Sequence, residues 1–148
     1  MKMLLVALFA FGSIFAYGSF GANAAGAPTI VMADQAKYGP APAPFPAGCM
    51  LAVLSGDPSK AGDQYTVRLK LTDGMKLAPH THGDTENVTI ISGTLMVGVG
   101  STFDATKMLA LTPGSFVSIP SGTPHYAMAK GETVVQVNGV GGSSMTLL

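Results

Sequence analysis

The chain has only three histidines, and two of them, His80 and His82, stand two residues apart with Glu86 four positions further on. Side chains alternate between faces in a β-strand, so this spacing aims both imidazoles the same way. Gly83 and Asp84 read as a turn that folds the chain back and offers the carboxylate to the same point. His125 follows a series of turn-forming residues, Gly114, Pro120 and Gly122, and opens an apolar run that reads as a further strand. Three neutral imidazoles and one carboxylate suit a single metal ion, provided that histidines distant in sequence converge.

The surrounding chain reads as short strands with Gly- and Pro-containing turns and no amphipathic helix of useful length. Residues 64–72 alternate cleanly, with Tyr65, Val67, Leu69 and Leu71 on one face and Thr66, Arg68, Lys70 and Thr72 on the other. Residues 86–92 and 94–100 read as two strands joined by a tight reversal at Gly93, where glycine tolerates positive φ. Further strands are expected at 107–111, 115–119, 124–129, 132–138 and 144–148. Such a pattern predicts an all-β sandwich or barrel. If Glu86 faces the interior, Val88 and Ile90 face it too and form a dry wall. Asn87, Thr89 and Ile91 then face away. By the same parity His125 is accompanied inward by Ala127 and Ala129, small residues that leave space, while Tyr126 and Met128 point out.

The stretch from Gly74 to Gly93 resembles the first motif of the cupin superfamily, G(x)5HxH(x)3E(x)6G, at Gly74, His80, His82, Glu86 and Gly93. Gly114, Pro120, Gly122 and His125 resemble most of the second motif, G(x)5PxG(x)2H(x)3N, which departs at its end because Ala129 stands in place of Asn. That Asn is not a metal ligand in the family pattern, so the departure touches a local hydrogen bond rather than the metal. The resemblance implies a single-domain jelly-roll barrel (a double-stranded β-helix) with the metal inside, held by His80, His82, Glu86 and His125. It also implies a homodimer, the association cupins often adopt, and the outward apolar face hints at the same contact.

Residues 1–24 carry Lys2, an apolar run and then Ala22-Asn23-Ala24, the small-x-small pattern of a cleavage site. They are expected to be a signal peptide, so the protein is expected to be exported, periplasmic or secreted, with no membrane attachment after cleavage. The alternative is an uncleaved anchor, since about 18 apolar residues just span a bilayer. Removing 24 of 148 residues leaves 124, enough for one domain with a core. Seven Lys and Arg then face eight Asp and Glu, a balance that gives nucleic acid nothing to bind. Cys49 is the one cysteine, which excludes an intrachain disulfide and reads as a buried small apolar residue. Residues 25–48 form an N-terminal arm with the Pro-rich run GPAPAPFP, read as laid over a barrel of residues 49–148. A plain connector and a strap across a neighbouring subunit are the two ways such an arm is used.

The ligand set accommodates one divalent transition metal: Mn, Fe or Zn foremost, with Ni, Co or Cu also admissible. Four protein ligands leave two octahedral positions for water, dioxygen or a chelating substrate. Resemblance to cupin dioxygenases and oxidases implies an oxygenase-type enzyme acting on a small oxygen-chelating metabolite. Glu86 would there be both ligand and catalytic base, once it swings off the metal. A non-redox isomerase or lyase and a non-catalytic binding protein are the alternatives, since fold alone does not fix function. Gln136, in TVVQV, is either an outward polar position or an amide near the site, and Arg68 reads as a solvated strand position.

Overall fold

The computed structural model describes residues 26–142 and 144–148, so the expected signal peptide of residues 1–24 lies outside the described residues. Among the described residues nine strands follow in order: β1 (Gly39–Pro40), β2 (Met50–Ser55), β3 (Gln64–Leu71), β4 (Lys76–His82), β5 (Glu86–Val99), β6 (Leu109–Leu111), β7 (Phe116–Ile119), β8 (His125–Val140) and β9 (Met145–Leu147). Among the described residues one 3₁₀ turn, Ala105–Lys107, precedes β6. Every pairing is antiparallel. Among the described residues no helix is long and apolar enough to cross a membrane.

Two long strands build the barrel. β8 pairs with β3, β4 and β5, and β5 pairs in addition with β6 and β7. Register shows how they run. Val99 pairs with His125 and Leu95 with Ala129, while beyond the bend Ile90 pairs with Val135 and Asn87 with Asn138. Both strands therefore start at one end, the mouth, bend at the other, and climb the opposite wall. This corrects the expected reversal at Gly93: residues 86–99 are one strand whose halves pair with β8 rather than with each other, interrupted by register shifts around Ser92 and Thr94. The expected strands at 124–129 and 132–138 likewise fuse into β8.

The glycine was read correctly as special, for a different reason. Gly93 has φ of 73°, and a Cβ there would run into the Glu132 carbonyl oxygen and the Thr133 side chain. Glycine thus lets β5 and β8 stay in backbone contact through the bend. Thr133 is wholly buried, and its hydroxyl donates towards the Thr94 and Gly131 carbonyls and accepts from the Thr94 amide at 3.2 Å. The bend is closed without an orphaned polar group.

The alternation in β3 holds. Val67, Leu69 and Leu71 are buried, and Arg68 and Lys70 lie on the other face. Val88 and Ile90 are buried as parity predicts, and Ile91 is exposed. Ala127 and Ala129 also face inward. Tyr126 departs from expectation: it sits on the outer side of β8 yet is 1% exposed. Its ring lies beside Phe103, its hydroxyl donates to the Asp104 carbonyl at 3.1 Å, and the missing Cβ of Gly98 makes room for it. The loop before the 3₁₀ turn thus covers Tyr126.

The arm contributes to the sheet itself. β1 pairs with β2, with Pro40 on an edge strand where its lack of an N–H costs nothing. Ala41 and Phe45 pack on the core, so the arm lies over its own barrel. Cys49 is buried in that core.

Candidate metal centre

Strand β4 delivers two histidines to the mouth. Leu77 and His80 are three residues apart and both buried, because the β4–β8 register shifts between them. Pro79, which cannot donate to a ladder, occupies that irregularity. His80 and His82 then alternate as in a regular strand. His80 pairs across the ladder with His125, the first residue of β8, and Glu86 opens β5. Two hydrogen bonds tie the loop after β4 to the loop before β8: the Gly122 amide donates to the His82 carbonyl at 2.9 Å and the Ser121 hydroxyl to the Gly83 carbonyl at 2.8 Å. Gly122 reaches this position with φ of 74°. That is why a glycine precedes the third histidine.

All four sequence-predicted residues come together. One donor atom from each of His80, His82, Glu86 and His125 lies within 4.8 Å of the others. Two donors on opposite sides of one ion are about 4.2 Å apart, so a small contraction suffices. Glu86 Oε2 stands 3.2 Å from His125 Nε2 and 3.6 Å from His82 Nε2.

The tautomers are set for binding a cation. His80 Nδ1–H donates to the Ala78 carbonyl at 2.6 Å and His125 Nδ1–H to the Thr123 carbonyl at 2.9 Å, which leaves Nε2 with its lone pair on each ring. The Nε2 atoms of His82 and His125 are buried and make no hydrogen bond. Buried nitrogens facing a carboxylate without a hydrogen bond are the expected state of ligands, and a costly one for core residues.

Burial pushes the His80 imidazole down to about 4, with the neighbouring histidines adding to the effect and the Ala78 carbonyl opposing it, so the ring is neutral at pH 7. Burial would raise the Glu86 carboxyl, but the His125 ring 3.2 Å away and the other nearby imidazoles outweigh it and hold the group below its usual range. For His125 burial works downward, and the adjacent Glu86 carboxylate, with the Thr123 carbonyl, carries the ring above its usual value. The neutral His80 ring and the ionised Glu86 carboxylate are in the forms a divalent ion requires.

A cavity of about 30 Å³ adjoins the four donors, lined by Val88, Ile119, Ala127 and Val137 among others. The small residues beside His125 thus leave room for little more than a water or two. Ile90 is buried but does not line this space. Two residues that sequence reasoning did not assign to the site stand at its mouth. Phe45, from the arm, lines the cavity, and Tyr65, inward by the parity of β3, lines the adjoining outer pocket. Burial, with Asp84 and Glu86 nearby, pushes the Tyr65 phenol up to about 12. The signal for Phe45 was an aromatic residue within an otherwise small and Pro-rich run. Gln136 and Arg68 fall elsewhere: they pair on the outer face, with Arg68 Nε donating to the Gln136 amide oxygen at 3.3 Å. Ala129, at the departure from the second motif, puts its methyl in the core while its backbone bonds Met75 and Gly74.

The family profile described as a cupin domain matches residues 67–140, half of the chain and all four of these residues. The chain belongs to the cupin family. Solved cupin-like structures agree in fold at low identity. The polyketide cyclase RemF from Streptomyces resistomycificus superposes with a TM-score of 0.67 at 16% identity, over 82% of this chain and 86% of that one. An RmlC-like cupin from Shewanella frigidimarina gives 0.59 at 14% identity, over 77% and 91%. KdgF from a Halomonas species gives 0.58 at 16%, over 77% and 94%. No curated protein sequence matches this cupin. Likeness at these identities carries the jelly-roll fold and leaves the activity to the site.

Proposed function

We propose that this cupin is an exported, metal-dependent enzyme of the oxygenase type, acting on a small metabolite that chelates the metal through neighbouring oxygens. The observation that carries the reading is the convergence of three imidazoles and Glu86, with the Nε2 atoms of His82 and His125 buried and making no hydrogen bond. His80, His82 and His125 would hold the ion through Nε2, with Glu86 as the fourth ligand. When bound, the metal supplies Lewis-acid activation of a ligand oxygen and, if redox-active, electron exchange with dioxygen.

The chain's own residues supply the rest. The Ala78 and Thr123 carbonyls fix the ring orientations of His80 and His125. Glu86 offsets one positive charge and also borders the outer pocket, where its carboxylate accepts the proton of a substrate hydroxyl. Val88, Ile119 and Ala127 keep bulk water from the inner space.

A non-redox reading, as isomerase or lyase, uses the same residues with Zn, Mn or Ni. The cyclase named for one structural neighbour supports keeping it in view. Metal analysis of the protein purified from its own compartment separates the readings. Iron or copper, with oxygen uptake on a catechol-like or diketone-like compound, supports the oxygenase. Zinc or nickel without uptake supports the second reading, and a held metal that admits no added ligand supports binding alone. Export rests on the residue 1–24 pattern and is tested by the mass of the mature protein, expected to begin at Ala25. A homodimer is supported by Ile91 and Phe116, 42% and 60% exposed on the outer face of β5 and β7. Light scattering tests it, with a monomer as the adverse result.

A further inference from the structure

The four donors stand where two spaces meet. The inner cavity of about 30 Å³ admits no metabolite. An outer pocket of about 290 Å³ lies between the arm at residues 42–45, the mouth end of β3 and the chain entering β9, with His82 and Glu86 in its floor. His80 and His125 line only the inner space. Phe45, Leu69, His82, Glu86 and Val137 border both, so Phe45 stands at the junction.

We infer that the outer pocket is the substrate site, that it selects an uncharged single-ring compound with two neighbouring oxygens, and that Phe45 packs against the ring and sets this specificity. The inference rests on the metal-dependent reading above and narrows its substrate class. Size is the first argument, since ligand pockets run from about 300 to 1,000 Å³ and this one lies at the small end. Wall chemistry is the second. Phe45, Leu51, Val67, Leu69 and Met145 make an apolar wall, and among the described residues lining the pocket Glu86 is the sole carboxylate and none is Lys or Arg. Arg68, the chain's one arginine, is engaged with Gln136 on the outer face. Charge balance is the third. While Glu86 stays on the divalent ion as a carboxylate it offsets one of the two charges, so a bound ligand that has given one proton to bulk water completes neutrality. A dianion overshoots it in an apolar pocket, where uncompensated charge is expensive.

The test is calorimetric titration of the full chain loaded with its metal, using a neutral hydroxypyranone (maltol) and oxalate, with metal content measured before and after. Maltol is expected to bind at least about tenfold more tightly than oxalate. Phe45→Ala should weaken maltol by at least about tenfold, while Phe45→Leu recovers part of the loss. Ser59 lines the pocket and is exposed, so Ser59→Lys is accommodated and should strengthen oxalate binding severalfold. Oxalate binding more tightly than maltol, or maltol binding Phe45→Ala as it binds the parent, overturns the inference while leaving the metal reading intact. If the chain takes up no metal, it is the metal reading that fails, and the pocket is judged in the metal-free protein with anisole. Nuclear magnetic resonance shifts at Val67 and Leu69 on adding anisole that vanish in Phe45→Ala support the apolar site, and their absence in the parent overturns it.

Discussion

The two ends of the barrel are made from the same strands and do opposite things. At the closed end, Leu71, Ile90, Ala129 and Thr133 are at most 1% exposed, and the one polar side chain among them is fully hydrogen-bonded. At the mouth, four residues earlier in β5 and β8, the same inward positions carry Glu86 and His125, and imidazole nitrogens are buried without hydrogen bonds. Among the described residues, the closed end leaves no buried side-chain nitrogen or oxygen without a hydrogen bond. The other leaves lone pairs facing one point, at a cost the closed end offsets. Stability and ligand binding should therefore separate on mutation.

The strongest break of that comparison comes at the closed end. Leu71 is completely buried, and Leu71→Ala should lower unfolding free energy by about 3 kcal/mol, within the usual 2–5 kcal/mol for such truncations. The folded fraction should bind metal as the parent does, since none of the four donors is altered. Denaturant melts with and without metal check both statements, and a parallel loss of metal affinity would show that the ends are coupled.

At the mouth, His125→Ala should show the converse. Removing a donor should cut metal affinity at least about a hundredfold, roughly 2.7 kcal/mol, because even changes to groups behind the ligands cost ten- to a hundredfold. The barrel should remain folded, judged by circular dichroism, while elemental analysis reports the metal. Full occupancy in this variant would remove His125 from the ligand set.

How much of this was legible beforehand follows from what kind of physics each part depends on. Strand parity is local, so the inward faces of β3, β5 and β8 were readable from Val67, Leu69, Val88 and Ala127. Gly93 and the gap between residues 129 and 132 were readable as discontinuities, but whether a strand reverses or bends there depends on its partners, and both long strands turned out continuous. Tyr126 shows the same limit. Its outward direction followed from parity, while its burial depends on Phe103 and a loop more than twenty residues away. The four donors were legible because their spacing is itself chemical. Phe45 was not, because nothing in a Pro-rich run says which opening it will cover.

Acidity should tell the ends apart more finely. In the metal-free protein the folded state holds His80 at about 4 against 6.5, so between those values the unfolded chain binds the extra proton. Stability therefore falls as pH drops from about 6.5 towards 4, by on the order of 3 kcal/mol from His80 alone. His125, raised in the folded state, contributes in the opposite sense: its share is complete below its unfolded value and is lost as pH rises through the folded one. The net swing should be smaller than 3 kcal/mol, and His80→Gln should flatten or invert it. Metal should deepen it, since acid must then displace the ion as well.

The closed end should be silent in that range and respond only in alkali. Burial pushes the Cys49 thiol from 9.0 to about 11, so above pH 9 the unfolded chain loses a proton that the folded chain keeps. Stability is unaffected below the unfolded value and falls as pH rises towards 11, by about 1.4 kcal/mol at pH 10. Tyr65, raised from 10.0 to about 12 at the mouth, begins to add its own loss only above its unfolded value. Cys49→Ala should therefore remove the slope between pH 9 and 10 and leave the acid limb untouched, as urea melts at fixed pH would show. A slope that persists in Cys49→Ala would place the alkaline transition at the mouth instead, and the division of the barrel into a silent end and a titrating end would fail.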